Sequence, residues 1–83
     1  MAYVYILKSI GFPKTYVGST PRPLELRLAE HNYGHCPYTK RYKPLELIYS
    51  EKFDSLQEAR LREKYLKSGS GRKFIKKNNI VRE

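Results

Sequence analysis

Ala2-Tyr3-Val4-Tyr5-Ile6-Leu7-Lys8, then Ser9-Ile10-Gly11-Phe12-Pro13-Lys14, then Thr15-Tyr16-Val17-Gly18-Ser19 decides the fold. The first segment is rich in β-branched and aromatic residues, which suit strands. Gly11 and Pro13 punctuate the middle segment as a turn. The third segment reads as a second strand, and the whole as an antiparallel hairpin. If Val4, Ile6 and Val17 face the core, a period of two puts Tyr3, Tyr5 and Tyr16 on the opposite face.

Beyond the hairpin, Thr20-Pro21-Arg22-Pro23 reads as a helix entry, because proline is tolerated only in a first turn. The helix is predicted from Arg22 to Tyr33, ended by Gly34, with Leu24 and Leu28 as its core stripe and Arg27 and His31 beside it. Residues 34–44 read as a polar loop that carries Lys40, Arg41 and Lys43. Leu45-Glu46-Leu47-Ile48-Tyr49-Ser50 reads as a third strand. Ser55-Leu56-Gln57-Glu58 fits a capping box and starts a second helix that runs to Ser68. Gly69-Ser70-Gly71 reads as a break before a short basic helix from Arg72 to Asn78. The expected fold is α+β, a three-stranded antiparallel sheet flanked by helices in one domain.

Composition narrows the function. Eighty-three residues leave room for one small domain. Lys plus Arg number 17 against 8 Asp plus Glu, a net charge of +9, which favours a polyanionic partner. Residues 31–45 and 64–82 contain no acid. Lys40, Arg41, Lys43, Lys67, Arg72, Lys73, Lys76 and Lys77 are therefore the expected phosphate contacts. No apolar stretch approaches the ~20 residues of a membrane span. The N-terminal residues have no basic leader or small-residue cleavage site, so no signal peptide is expected. Cys36 is the only cysteine, which excludes an internal disulfide and fits the cytoplasm. A monomer is expected, with a weak dimer as the alternative.

Residue types alone leave the chemistry open. Strand tyrosines more often pack than react, and Arg27 beside Glu30 would ordinarily be a solvated helix flank. Glu63 is odder. It shares a narrow arc with Leu56, Ala59 and Leu66, where a carboxylate needs either a cationic partner or a metal. His31, His35 and Cys36 are three clustered zinc-ligand types without a fourth. Cys36 has no recognisable partners for nucleophilic work. Gly69-Ser70-Gly71 lacks a full nucleotide-binding loop; an ordinary break is the simpler reading and a DNA backbone contact the other.

The ordered set is more specific. Val4-Tyr5, then ten residues, then Tyr16-Val17-Gly18 resembles the paired signature of the GIY-YIG nuclease superfamily. Arg27, His31 and Glu63 follow in the family's order, and Glu63-Lys64-Tyr65-Leu66-Lys67 resembles its small single-domain bacterial members. Tyr3 stands where the first signature has glycine, and Val4 and Val17 stand where it has isoleucine. The late asparagine of such nucleases has two candidates, Asn78 and Asn79.

The resemblance implies a metal-dependent endonuclease that hydrolyses phosphodiester bonds in DNA, in repair or recombination, with RNA as the alternative polymer. With no appended DNA-reading domain in view, low sequence specificity is expected. The alternative from another class is a nucleic-acid-binding module that keeps the fold without cutting. In the resemblance Tyr16 is the general base. A free tyrosine is only about 0.1% phenolate at neutral pH, so neighbouring cations would have to assist. Arg27 would stabilise charge, since it does not lose its proton. Tyr5 would bond near the attacking water, and His31 would orient it or shuttle a proton. Glu63 would hold Mg2+, or Mn2+, as the single protein ligand.

Overall fold

The computed structural model describes residues 1–33 and 40–78. The hairpin forms as β1 (Ala2–Ser9) and β2 (Thr15–Thr20), followed by α1 (Leu24–Asn32) and β3 (Leu45–Phe53). Two further helices, α2 (Leu56–Lys67) and α3 (Gly69–Lys77), complete an α+β fold. The sheet is antiparallel in the order β2-β1-β3, so the most apolar strand is central. Tyr5 pairs with Gly18 and Leu7 with Tyr16, while Val4 pairs with Ser19 and Ile6 with Val17. Directly opposed residues share a face. Tyr5 and Tyr16 therefore lie on one face and Val4, Ile6 and Val17 on the other, as the alternation predicts.

Both faces are covered. Leu24 and Leu28 of α1 pack with Tyr16 and Tyr42 on the tyrosine face, around Tyr5, Leu7 and Leu45. α2 covers the valine face with its buried Ala59 and Leu66. The tyrosine face is thus a second core layer. α1 begins two residues later than predicted. Arg22 precedes Pro23, which disfavours helical dihedrals at Arg22, and Pro23 itself is extended at φ −54°, ψ 140°. The end of α1 is tied to β3 by Asn32, whose side chain bonds both the N–H (2.7 Å) and the C=O (3.2 Å) of Leu45.

The predicted break at Gly69-Ser70-Gly71 is absent. Only Ser68 separates α2 from α3, and its hydroxyl accepts from Gly71 N at 3.3 Å as the cap of α3. Gly71 serves packing instead. A Cβ on buried Gly71 would lie 2.1 Å from Tyr65 O and 2.3 Å from Leu66 Cα, so the start of α3 can rest on the end of α2 only without a side chain there. Arg62 fastens both helices to β3. It forks onto Glu51 at 2.8 and 3.1 Å and lies 4.8 Å from the ring centres of both Tyr65 and Phe74.

Candidate active site

β1 carries the first tyrosine into the middle of the sheet, where Tyr5 is 1% exposed. Its ring crosses Gly18 of the edge strand. A Cβ at Gly18 would lie 2.5 Å from the Tyr5 hydroxyl oxygen and 2.9 Å from the Tyr16 ring. The glycine of the second signature is therefore a passage for the phenol of the first. Gly18→Ala is expected to cost about 1–3 kcal/mol of stability through overpacking, measured by urea unfolding.

The Tyr5 hydroxyl sits between two partners on α1. Arg27 Nε donates to it at 3.1 Å, and His31 Nε2 lies 3.0 Å away. Arginine has only donors. With Arg27 donating, the phenol's own proton can be given to Nε2 in the tautomer that carries the imidazole proton on Nδ1. Burial raises the pKa of Tyr5 and outweighs the guanidinium of Arg27, so this phenol stays protonated at neutral pH. His31 is 0% exposed. Burial first, then the charge of Arg27, lowers its pKa from 6.5 to about 4, against the smaller opposing pull of Glu30.

A pH dependence follows from His31. Its folded pKa is below its ordinary value, so the unfolded chain takes up the proton more readily. The neutral imidazole's contribution to stability is complete above pH ~6.5 and is lost as the pH falls toward ~4. A shift of this size corresponds to about 3 kcal/mol. Urea unfolding from pH 7 to 4 should show that loss in the parent and a smaller one in His31→Phe.

Tyr16 is half-buried, and its ring centre lies 5.0 Å from that of His31 and 6.4 Å from that of Tyr5. The Arg27 side chain is 30% exposed, and Glu30 draws it along α1 at 3.6 Å while also pairing with Arg22 at 3.0 Å. Glu63 comes from α2, on the other face of the sheet. The Ser19 hydroxyl donates to its Oε1 at 2.5 Å, and Lys67 Nζ to its Oε2 at 2.7 Å. Lys67 Nζ also stands 5.8 Å from the Tyr16 ring centre. Lys67, bonded to Glu63, thus links the carboxylate on one face to the Tyr16 ring on the other at the edge strand β2.

The structure thus brings Tyr5, Tyr16, Arg27, His31 and Glu63 to one edge of the sheet. Tyr5 and His31 form its buried floor, and Tyr16, Arg27 and Glu63 retain access to solvent. Lys67 belongs to this cluster, and Arg72 lines a cleft with Tyr16 and Lys67. Lys73, Lys76 and Lys77 are exposed on α3, and Lys40, Arg41 and Lys43 are exposed in the segment entering β3. Asn78 caps α3, its side chain donating to Phe74 O at 2.9 Å. His35, Cys36 and Asn79 lie outside the described residues. Residue types alone do not single out Ser19, Glu30 or Gly18. Only the phase of the hairpin, which puts Ser19 on the same face as Val17, hints at the contact with α2.

Among the described residues no three of His, Cys, Asp and Glu converge as metal ligands. Glu63 presents one carboxylate, with its side chain 21% exposed. Such a donor set does not suit zinc, which takes three or four protein ligands. It does suit Mg2+, which keeps several waters and binds through one or two carboxylates plus substrate phosphate.

A family model described as the GIY-YIG catalytic domain matches residues 1–79. The chain is 37% identical to a UPF0213 protein of Staphylococcus saprophyticus over 89% of both chains. It is 42% identical to a UPF0213 protein of Natronomonas pharaonis over 80% of this chain and 76% of that one. A UPF0213 protein of Clostridium perfringens is 43% identical over 81% of this chain and 71% of its own. No solved structure matches at a significant level. No helix among the described residues is long and apolar enough to cross a membrane.

Proposed function

This chain belongs to the GIY-YIG family, and from that membership we propose that it is a divalent-metal-dependent endonuclease that hydrolyses phosphodiester bonds in DNA with low sequence specificity. One observation carries the reading. The Tyr5 phenol takes a bond from Arg27 and its ring centre lies 6.4 Å from that of Tyr16, and Lys67, which bonds Glu63 from the helix on the other side of the sheet, stands 5.8 Å from the centre of the same Tyr16 ring. A carboxylate suited to a cation, a guanidinium suited to developing negative charge and a second phenol are thereby placed at one edge.

Glu63 holds Mg2+ or Mn2+, which when bound offsets charge on the phosphoryl oxygens and makes its water more acidic. Ser19 fixes the carboxylate by donating to Oε1, leaving Oε2 to exchange its ammonium partner. Arg27 places its guanidinium against the phosphate undergoing attack, where developing negative charge is greatest. Tyr16 takes the proton of the attacking water. Tyr5 and His31 are positioning residues. Both are buried, and the hydroxyl between them holds Arg27 Nε in place. This replaces the direct contact with water that the resemblance implies for them. A binding module of the same fold is the alternative, but it has no need of Tyr16, Arg27 and Glu63 together.

Cleavage of an end-labelled DNA fragment in Mg2+ separates the two. The enzyme gives products in Mg2+ and none in EDTA, whereas a binding module retards the fragment and leaves it whole. Binding itself should be governed by phosphates. Duplex affinity measured in EDTA is expected to fall with log[salt] at a slope of about −0.9 per phosphate neutralised, and Arg72→Ala should reduce that slope by about 1. A flat salt dependence would reject the basic surface as the contact.

A further inference from the structure

A cleft of about 460 Å3 opens where the outer edge of β2 meets α2 and α3. Its chemistry is divided. Val17, Leu66 and Ile75 supply an apolar floor, while Lys67 and Arg72 supply a cationic rim and Tyr16 closes one side. Lys67 also bonds Glu63, so the rim runs directly into the site described above. β2 is an edge strand, and among the described residues no strand pairs with its outer side.

A cleft of this size holds a small planar ligand. An apolar floor under a cationic rim matches a nucleotide whose base is out of its stack, with the base against the floor and the phosphate on Lys67 and Arg72. A paired duplex offers the rim its phosphates but keeps its bases stacked inside, and leaves the floor uncovered. We propose that this cleft binds an unpaired nucleotide of the DNA strand next to the phosphate at Glu63 and Arg27, so that the preferred substrate is unpaired DNA. The inference rests on the nuclease reading and narrows its substrate.

The test is fluorescence anisotropy with the full chain in EDTA at one salt concentration, using three labelled 20-mers. They are a single DNA strand, the same sequence as a perfect duplex, and a strand of abasic residues with all phosphates kept. Base contacts predict that the intact strand binds at least about tenfold more tightly than the other two. Phosphate density alone would instead favour the duplex. Ile75→Trp should fill the floor and lower the intact strand to the abasic level without changing the abasic strand. Arg72→Ala should weaken all three ligands. The abasic strand tests the floor without altering the protein, should Ile75→Trp fail to fold. Equal affinity for the intact and abasic strands, or a duplex bound as tightly as the single strand, overturns the proposal. If, in a parallel assay in Mg2+, the duplex is cut as fast as the strand, the nuclease reading survives and the cleft assignment falls. If none of the three is bound, both fall.

Discussion

Glu63→Gln is expected to abolish divalent-dependent DNA cleavage while duplex binding in EDTA stays at or above that of the parent. Glutamine keeps the length of the side chain, and its amide oxygen still accepts from the Ser19 hydroxyl, which lies 2.5 Å from Oε1 in the parent. What is lost is the negative charge that holds the cation. The charge stabilisation a cation supplies is several kcal/mol, so the expected loss is at least about 10³-fold in rate. Binding is expected to hold or improve because an anion near the phosphate is removed and Lys67 is freed from its 2.7 Å pair with Glu63. A variant that cuts at the parent rate would make Glu63 a structural partner of Ser19 and Lys67 only.

Tyr16→Phe keeps the ring that packs beside His31 and Tyr5 and removes only the hydroxyl. If the phenol takes the water's proton, single-turnover cleavage should slow by about 10²–10⁴-fold. The parent rate should also rise with pH through the alkaline range, and the phenylalanine variant should flatten that rise. Arg27→Ala should cost about 10²–10³-fold by leaving transition-state charge uncompensated. Arg27→Lys should recover part of this, because lysine restores charge but not the planar fork that bonds Tyr5 Oη through Nε while Nη1 pairs with Glu30. A parent profile flat from pH 6 to 9, together with an active Tyr16→Phe, would remove the phenol from the role of base.

Much of this site is legible in local sequence, because it depends on periodicity. Alternation along β1 and β2 places Tyr5 and Tyr16 on one face, and the register does the same. The capping serine sets the phase of α2: Ser55 accepts from Glu58 N at 3.2 Å, which fixes Glu63 on the inward side with Ala59 and Leu66. Depth is what periodicity omits. Nothing local says that β1 is the central strand with helices on both sides, so His31 and Tyr5 read as exposed chemistry although both are core residues. Glycine also has two meanings that only tertiary packing separates. At Gly69 and Gly71 the residue type argues for a break, but Gly71 is set by the close approach of Leu66 and Tyr65. At Gly18 it is set by the phenol of Tyr5, thirteen positions earlier in the chain. The Ser19–Glu63 bond joins residues 44 apart and has no signature short enough to read.

The most direct measurement is the conversion of supercoiled plasmid to nicked and linear forms by the purified chain, followed in time with Mg2+, with Mn2+ and with EDTA. Hydrolysis at the edge formed by Tyr16, Arg27 and Glu63 predicts nicked circles, then linear DNA, in either metal and none in EDTA, with Glu63→Gln at the EDTA level throughout. Plasmid that stays supercoiled in both metals while the chain binds it, or cutting that Glu63→Gln performs as well as the parent, would contradict the account.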